Sequence, residues 1–143
     1  MFILQGDSRD PDSSNAGDAK EKQEKYFRKN IDGTTTKFTL SEEDWNRIII
    51  TTYPRGGRLL SGDWNAIFRA KLRESNPWCQ LNFRNNHVIS TNSPKRHSAP
   101  FFRGSAKCKL PECDVKVRLA IRKENGKYVD VTYVGNICHK KQN

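Results

Sequence analysis

Two stretches of the chain hold residues whose types and spacing can do chemistry. Cys108 and Cys113 close the loop "CKLPEC", and Cys138 and His139 end the run "TYVGNICH". Cysteine sulfur and histidine nitrogen are the donors zinc prefers, four of them in a tetrahedron. A C-x4-C spacing lets one tight loop present two thiolates to a single ion. Four cysteines are present in all, the fourth being Cys79. The opening "MFILQGDSRDPDSS" lacks the basic region and the apolar length of a signal peptide, and no window is apolar enough to span a membrane. The expectation is an intracellular, nuclear protein with no membrane association. There cysteines serve as metal ligands or free thiols rather than disulfides.

Between the two stretches runs the clearest element of the chain. Val115, Val117, Leu119 and Ile121 alternate with Lys116, Arg118, Ala120 and Arg122, which reads as a half-buried strand with one basic face. Val129, Val131 and Tyr133 alternate on a return strand, and "ENGK" between them holds an Asn-Gly turn signal. Matching apolar residues across the hairpin opposes Leu119 with Tyr133, Ile121 with Val131 and Val115 with Ile137. That register sets Cys113 opposite His139. A slip by one residue opposes Ile121 with Asp130 and sets Cys113 opposite Cys138, a worse match. Either register delivers the end of the return strand to Cys113, so pattern and register name three ligands: Cys108, Cys113 and His139. Only 34% of the chain is apolar, and a structural zinc contributes to folding directly, by about 10–16 kcal/mol in finger peptides.

Three regions are expected. Residues 1–36 are polar and acidic and read as a disordered arm. Residues 37–76 read as two short amphipathic helices. Ser41 is placed to N-cap the first, with Glu42, Glu43 and Asp44 in its first turn and Trp45, Ile48 and Ile49 on one face. Trp64, Ile67, Phe68 and Leu72 form the stripe of the second, Lys71 and Arg73 sit in its last turn, and Pro77 follows its end. Residues 77–143 read as a zinc-binding β domain. There "WCQLNF" and "HVIS" are expected as short strands around the polar break "RNN", and "FFRGSAKCKL" as another strand. The fold class is α+β: a small antiparallel sheet stapled by one zinc and preceded by two helices.

The stretch "FFRGSAKCKLPECDVKVRLAIRKENGKYVDVTYVGNICH" resembles the zinc-binding half of a WRKY domain. The matching positions are Phe101, Phe102 and Arg103, then Cys108 and Cys113, then Val115 and Lys116, and finally Thr132, Tyr133, Gly135 and His139. It is also similar to the FLYWCH fingers and to the WRKY-like fingers of some transposases. The resemblance covers about 40 residues of the 143, and implies a small sheet, one structural zinc and DNA binding. Two departures stand out. Ile137 occupies the place of the family's first histidine, so a fourth ligand must come from elsewhere: Cys79, from an earlier strand, is the first candidate, Cys138 the second, and His97 and His87 follow. The family's DNA-reading W-R-K-Y-G-Q-K stretch is absent, and its nearest counterpart lies within "CQLNFRNNHVISTNSPKRH".

Charge points the same way as the resemblance. The chain carries a net +10. Residues 1–44 hold 7 basic and 10 acidic residues, and residues 45–143 hold 19 and 6. A basic body behind an acidic arm suits a polyanion. The expected partner is duplex DNA. Phosphate contacts would come from Lys95, Arg96, Arg103, Lys107, Lys109, Lys116, Arg118 and Arg122, with Arg84 and Asn85 of "FRNN" reaching a groove. An origin in a mobile element follows from the resemblance alone. Two other readings compete: a zinc-stapled module binding a protein through residues 41–75, and RNA binding with Phe101 and Phe102 stacking bases. Catalysis is not expected, since "PRGGRLLSGD" lacks the context of a phosphate loop and the Cys and His residues are better used as ligands.

Overall fold

The computed structural model describes residues 25–95 and 97–140. Among these residues antiparallel β structure dominates and two helices accompany it, an α+β arrangement. In chain order the elements are β1 (Tyr26–Asn30), β2 (Thr35–Thr39), α1 (Glu42–Asn46), β3 (Ile48–Thr52), β4 (Arg58–Gly62), α2 (Trp64–Ser75), β5 (Leu81–Val88), β6 (Phe102–Cys108), β7 (Lys116–Ile121), β8 (Tyr128–Val134) and β9 (Asn136–Lys140). Seven strands form one sheet in the order β2-β8-β7-β6-β5-β4-β3, and β1 pairs with β9 in a separate ribbon.

This is a larger sheet than expected, and the helices do not simply precede it. Two strands come before α1, so the expected disordered arm does not extend over residues 26–36; its first 24 residues lie outside the described ones. β2 was missed because "TTKFT" is short and polar, with Phe38 its one large apolar residue.

Helix α1 starts where expected. Ser41 Oγ accepts from the Asp44 N–H (3.0 Å), and Asp44 Oδ2 accepts from the Ser41 N–H (2.9 Å), a reciprocal cap. It ends after one turn, because Ile48, Ile49 and Ile50 are β-branched and join a strand instead of continuing the helical face. The hairpin β3–β4 meets β5 through one backbone pair, Arg58 with Val88. Beyond that pair the Asn86 side chain stands in for a strand: its Oδ1 accepts from Leu60 N–H (2.8 Å) and its Nδ2 donates to Leu60 O (2.7 Å).

α2 buries the predicted stripe Trp64, Ile67, Phe68 and Leu72. It lies on one face of the sheet, where Trp64 meets Phe83 and Phe102 and Phe68 meets Phe38, Phe83 and Phe102 at ring-centroid distances of 4.8–6.4 Å. Fully burying such a ring contributes about 1.5–3 kcal/mol. The strands supply this inner face on alternate residues: Phe102, Ala106 and Cys108 of β6, Val117, Leu119 and Ile121 of β7, and Val129, Val131 and Tyr133 of β8 are all buried.

The hairpin β7–β8 forms in a register two residues from the expected one. Val117 opposes Tyr133, Arg118 opposes Thr132 and Leu119 opposes Val131. A two-residue slip keeps every side chain on its face, so apolar matching cannot distinguish the two. The turn decides: Asn125 takes a positive φ of 55° at the tip. The strand expected to break at "RNN" is continuous, since β5 absorbs Arg84 as a bulge between Phe83 and Asn85. Among the described residues no helix is long and apolar enough to cross a membrane.

Candidate metal centre and the outer face of the sheet

Four donors converge at one end of the sheet. The ligand atoms of Cys79, Cys108, Cys113 and His139 all lie within 4.8 Å of one another, a group that can hold a metal ion. Cys79 comes from the loop between α2 and β5, not from a strand as expected. Cys108 is the last residue of β6, Cys113 lies in the loop after it, and His139 is on β9. Cys79 Sγ and Cys113 Sγ are 3.8 Å apart, and Cys108 Sγ is 3.4 Å from His139 Nε2. All four cysteines of the chain are free.

His139 arrives by a route the hairpin register did not foresee. At Gly135 the backbone turns through φ 94°. The chain then leaves the β7–β8 ladder and pairs with β1, setting His139 against Phe27. A Cβ at Gly135 would lie 2.7 Å from Asp114 O and 2.8 Å from Asp114 Oδ1. The kink is pinned from both sides: Gly135 N–H donates to Asp32 Oδ1 (2.9 Å) and Asn136 N–H to Asp114 Oδ1 (2.8 Å). Ile137 turns into the core at 1% exposure, while Cys138, the second candidate for fourth ligand, is half-buried and outside the group of four. His87 and His97, the further candidates, are exposed and also outside it.

The surroundings disfavour charge on the thiols and on the imidazole. Burial pushes the Cys79 thiol far above its ordinary range, against the pull of the Asn76 side chain and with the help of neighbouring Cys108 and Cys113. Burial also raises Cys113, partly offset by the backbone N–H groups of Cys138 and Val115. Burial lowers His139, favouring the neutral imidazole that binds metals. Asn76 is the one buried polar residue among the described residues; its Oδ1 accepts from the N–H groups of Trp78 (3.3 Å) and Cys79 (3.2 Å). Trp78 in turn stacks on Phe27 of β1 at 5.3 Å.

The opposite face of the sheet has a different chemistry. Cross-strand pairing arranges its residues in three rows: Lys37–Asp130–Ala120–Arg103–His87, Thr35–Thr132–Arg118–Ser105–Asn85 and Val134–Lys116–Lys107–Asn82. Asp130 is the only acid in these rows, and Arg122 binds it at 3.2 Å. Lys107 and Lys116 oppose each other directly. Of the residues expected to contact nucleic acid, the rows collect Asn85, Arg103, Lys107, Lys116 and Arg118, and Arg84 is the exposed bulge residue beside them. Lys109 lies past the end of β6, Lys95 is in the loop before it, and Arg96 lies outside the described residues. Lys37 was not anticipated, because β2 itself was not.

Phe101 and Phe102 are 5% and 0% exposed, so neither ring is free to stack on a base as the RNA reading required. Trp64 is buried and Trp45 half-buried, with its Nε1 donating to Gly126 O (2.9 Å), so the helices do not present their tryptophans as a docking surface. No family model, no curated protein and no solved structure matches the chain.

Proposed function

We propose that the chain is a zinc-stapled DNA-binding module. The spacing of the four donors supports zinc: two thiolates bound at about 2.3 Å in a tetrahedron lie about 3.8 Å apart, and a thiolate and an imidazole nitrogen about 3.6 Å. Two of the six separations here are 3.8 and 3.4 Å, and all lie within 4.8 Å. Three sulfurs and one nitrogen fill the shell, so no position is left for a reacting water, and the role is structural.

The observation that carries the DNA reading is the outer face. Lys37, Arg103, Lys107, Lys116 and Arg118 stand on the side of the sheet that α2 leaves bare. Like charges directly opposed across strands destabilise a sheet, and phosphates laid along the Lys107–Lys116 pair relieve that repulsion while releasing counterions. The three rows hold no Phe, Tyr or Trp, and His87 at one end is their one ring, so duplex phosphates fit this face better than unpaired bases. Kinship with WRKY and FLYWCH fingers is part of the proposal. It rests on the C-x4-C loop, the hairpin and the Gly135–His139 segment, with Cys79 in place of the family's first histidine and a wider sheet than the resemblance implies.

Two measurements test the reading. Metal analysis of purified protein is expected to give one zinc per chain; a fully folded protein without metal refutes the staple. Titration of a random duplex at two salt concentrations is expected to show affinity falling steeply with salt. No binding at low salt refutes the interface. A protein partner is the second reading, now favoured by the exposed Ile49 and Tyr53 of the β3 hairpin (58% and 50%) rather than by the helices.

A further inference from the structure

Asn76 sits at the C-terminal end of α2, three residues before Cys79, and is 2% exposed. Its amide orientation is fixed by its neighbours. Two backbone N–H groups, those of Trp78 and Cys79, point at Oδ1, and an NH2 group in that place would face two donors. The amide nitrogen Nδ2 is therefore turned to the other side. There it is shut off from solvent and, alone among the buried side-chain polar atoms of the described residues, has no hydrogen-bond partner. A donor left so in a packed interior calls for an acceptor.

The nearby group whose acceptor strength changes with metal is the sulfur of Cys79, held in the same turn. A thiol is a weak acceptor, whereas a thiolate carries the charge that strengthens an N–H bond. We propose that Asn76 is a positioning residue of the metal centre, whose Nδ2 donates to the metal-bound thiolate of Cys79 while its Oδ1 holds the loop that presents that sulfur. This rests on the metal reading above. It makes the last turn of α2 part of the site and gives Cys79, the donor supplied by the α2–β5 loop, a fixed direction. Hydrogen bonds of this outer kind orient metal ligands, and losing one typically lowers metal affinity by about 10–100-fold.

Cobalt(II) in place of zinc tests both levels, because its visible bands report the donor set and its sulfur-to-metal charge-transfer band reports the electron density on sulfur. The wild-type protein is expected to bind one cobalt with tetrahedral bands. No cobalt binding overturns the metal reading and this inference together. Asn76→Asp keeps an oxygen for the Trp78 and Cys79 N–H groups, removes the amide donor and adds a negative charge; Asn76→Ala removes both functions without adding charge, so the band shift shared by the two identifies the lost donor. The expected result is a loss of affinity of tenfold or more, by chelator competition, in both variants, with the charge-transfer band moved to longer wavelength. Asn76→Asp with wild-type affinity and band position, beside a weakened Asn76→Ala, assigns Asn76 to the loop alone and overturns the inference. Should Asn76→Asp not fold, the band position in Asn76→Ala decides, and an unmoved band overturns it.

Discussion

The two faces of strands β6 and β7 have opposite chemistry within the same few residues. Inward, Phe102, Ala106 and Cys108 alternate into a core sealed by α2 and closed at its end by the four donors. Outward, Arg103, Ser105 and Lys107 alternate onto a face that no element among the described residues packs against, opposite Ala120, Arg118 and Lys116. The inner face is arranged for stability. The outer face carries a direct lysine–lysine opposition that stability alone would disfavour, which is consistent with the interface proposed for it.

That contrast can be broken from the inside first. Removing the metal with a strong chelator, or replacing Cys108 or Cys113 with serine, is expected to unfold the metal end of the sheet and to cost more than any single core truncation; thermal unfolding with and without chelator measures it. Phe68→Ala empties the centre of the aromatic cluster between α2 and the sheet and is expected to cost about 3–5 kcal/mol in denaturant unfolding. Gly135→Ala meets both the positive φ and the Asp114 backbone. It is expected to cost about 1–3 kcal/mol and, because it displaces β9, to weaken metal binding as well, an effect that chelator competition separates from general destabilisation.

From the outside the expected effects on stability are smallest. Lys107→Ala or Lys116→Ala is expected to change stability by less than about 0.5 kcal/mol, and to reduce the slope of log affinity against log salt by about one for random duplex DNA. A variant on this face that unfolds the protein, or one on the inner face that alters only the salt slope, would erase the distinction between the two.

Much of the inner arrangement was readable from local pattern. The Cys108–Cys113 spacing, the α2 stripe and the basic alternation of β7 each depend on neighbours within one element. What was not readable depends on distance. The true β7–β8 register differs from the expected one by a slip that leaves every residue on its face, so only the turn around Asn125 could reveal it. The path of His139 depends on β1, a strand without apolar alternation, and on a kink whose cause, Asp114, lies on another segment. Cys79 was named for an expected place on a strand but lies in the loop before β5, because nothing near it in sequence says that this loop folds back over the end of β6. The run "IIITT" carried a usable signal: three successive isoleucines favour a strand over the second turn of a helix.

The thin seam between β4 and β5 has a consequence for motion. Among the described residues, the β4–β5 seam is held by one backbone pair, the Asn86 amide and the Arg58 guanidinium on the Ile89 carbonyl, with Leu60 packed into the core. The seams on either side of β6 are stitched along most of their length. Native-state hydrogen exchange is therefore expected to resolve two cooperative units. The hairpin amides would open at a lower free energy than those of β6 and β7, and would do so without releasing the metal.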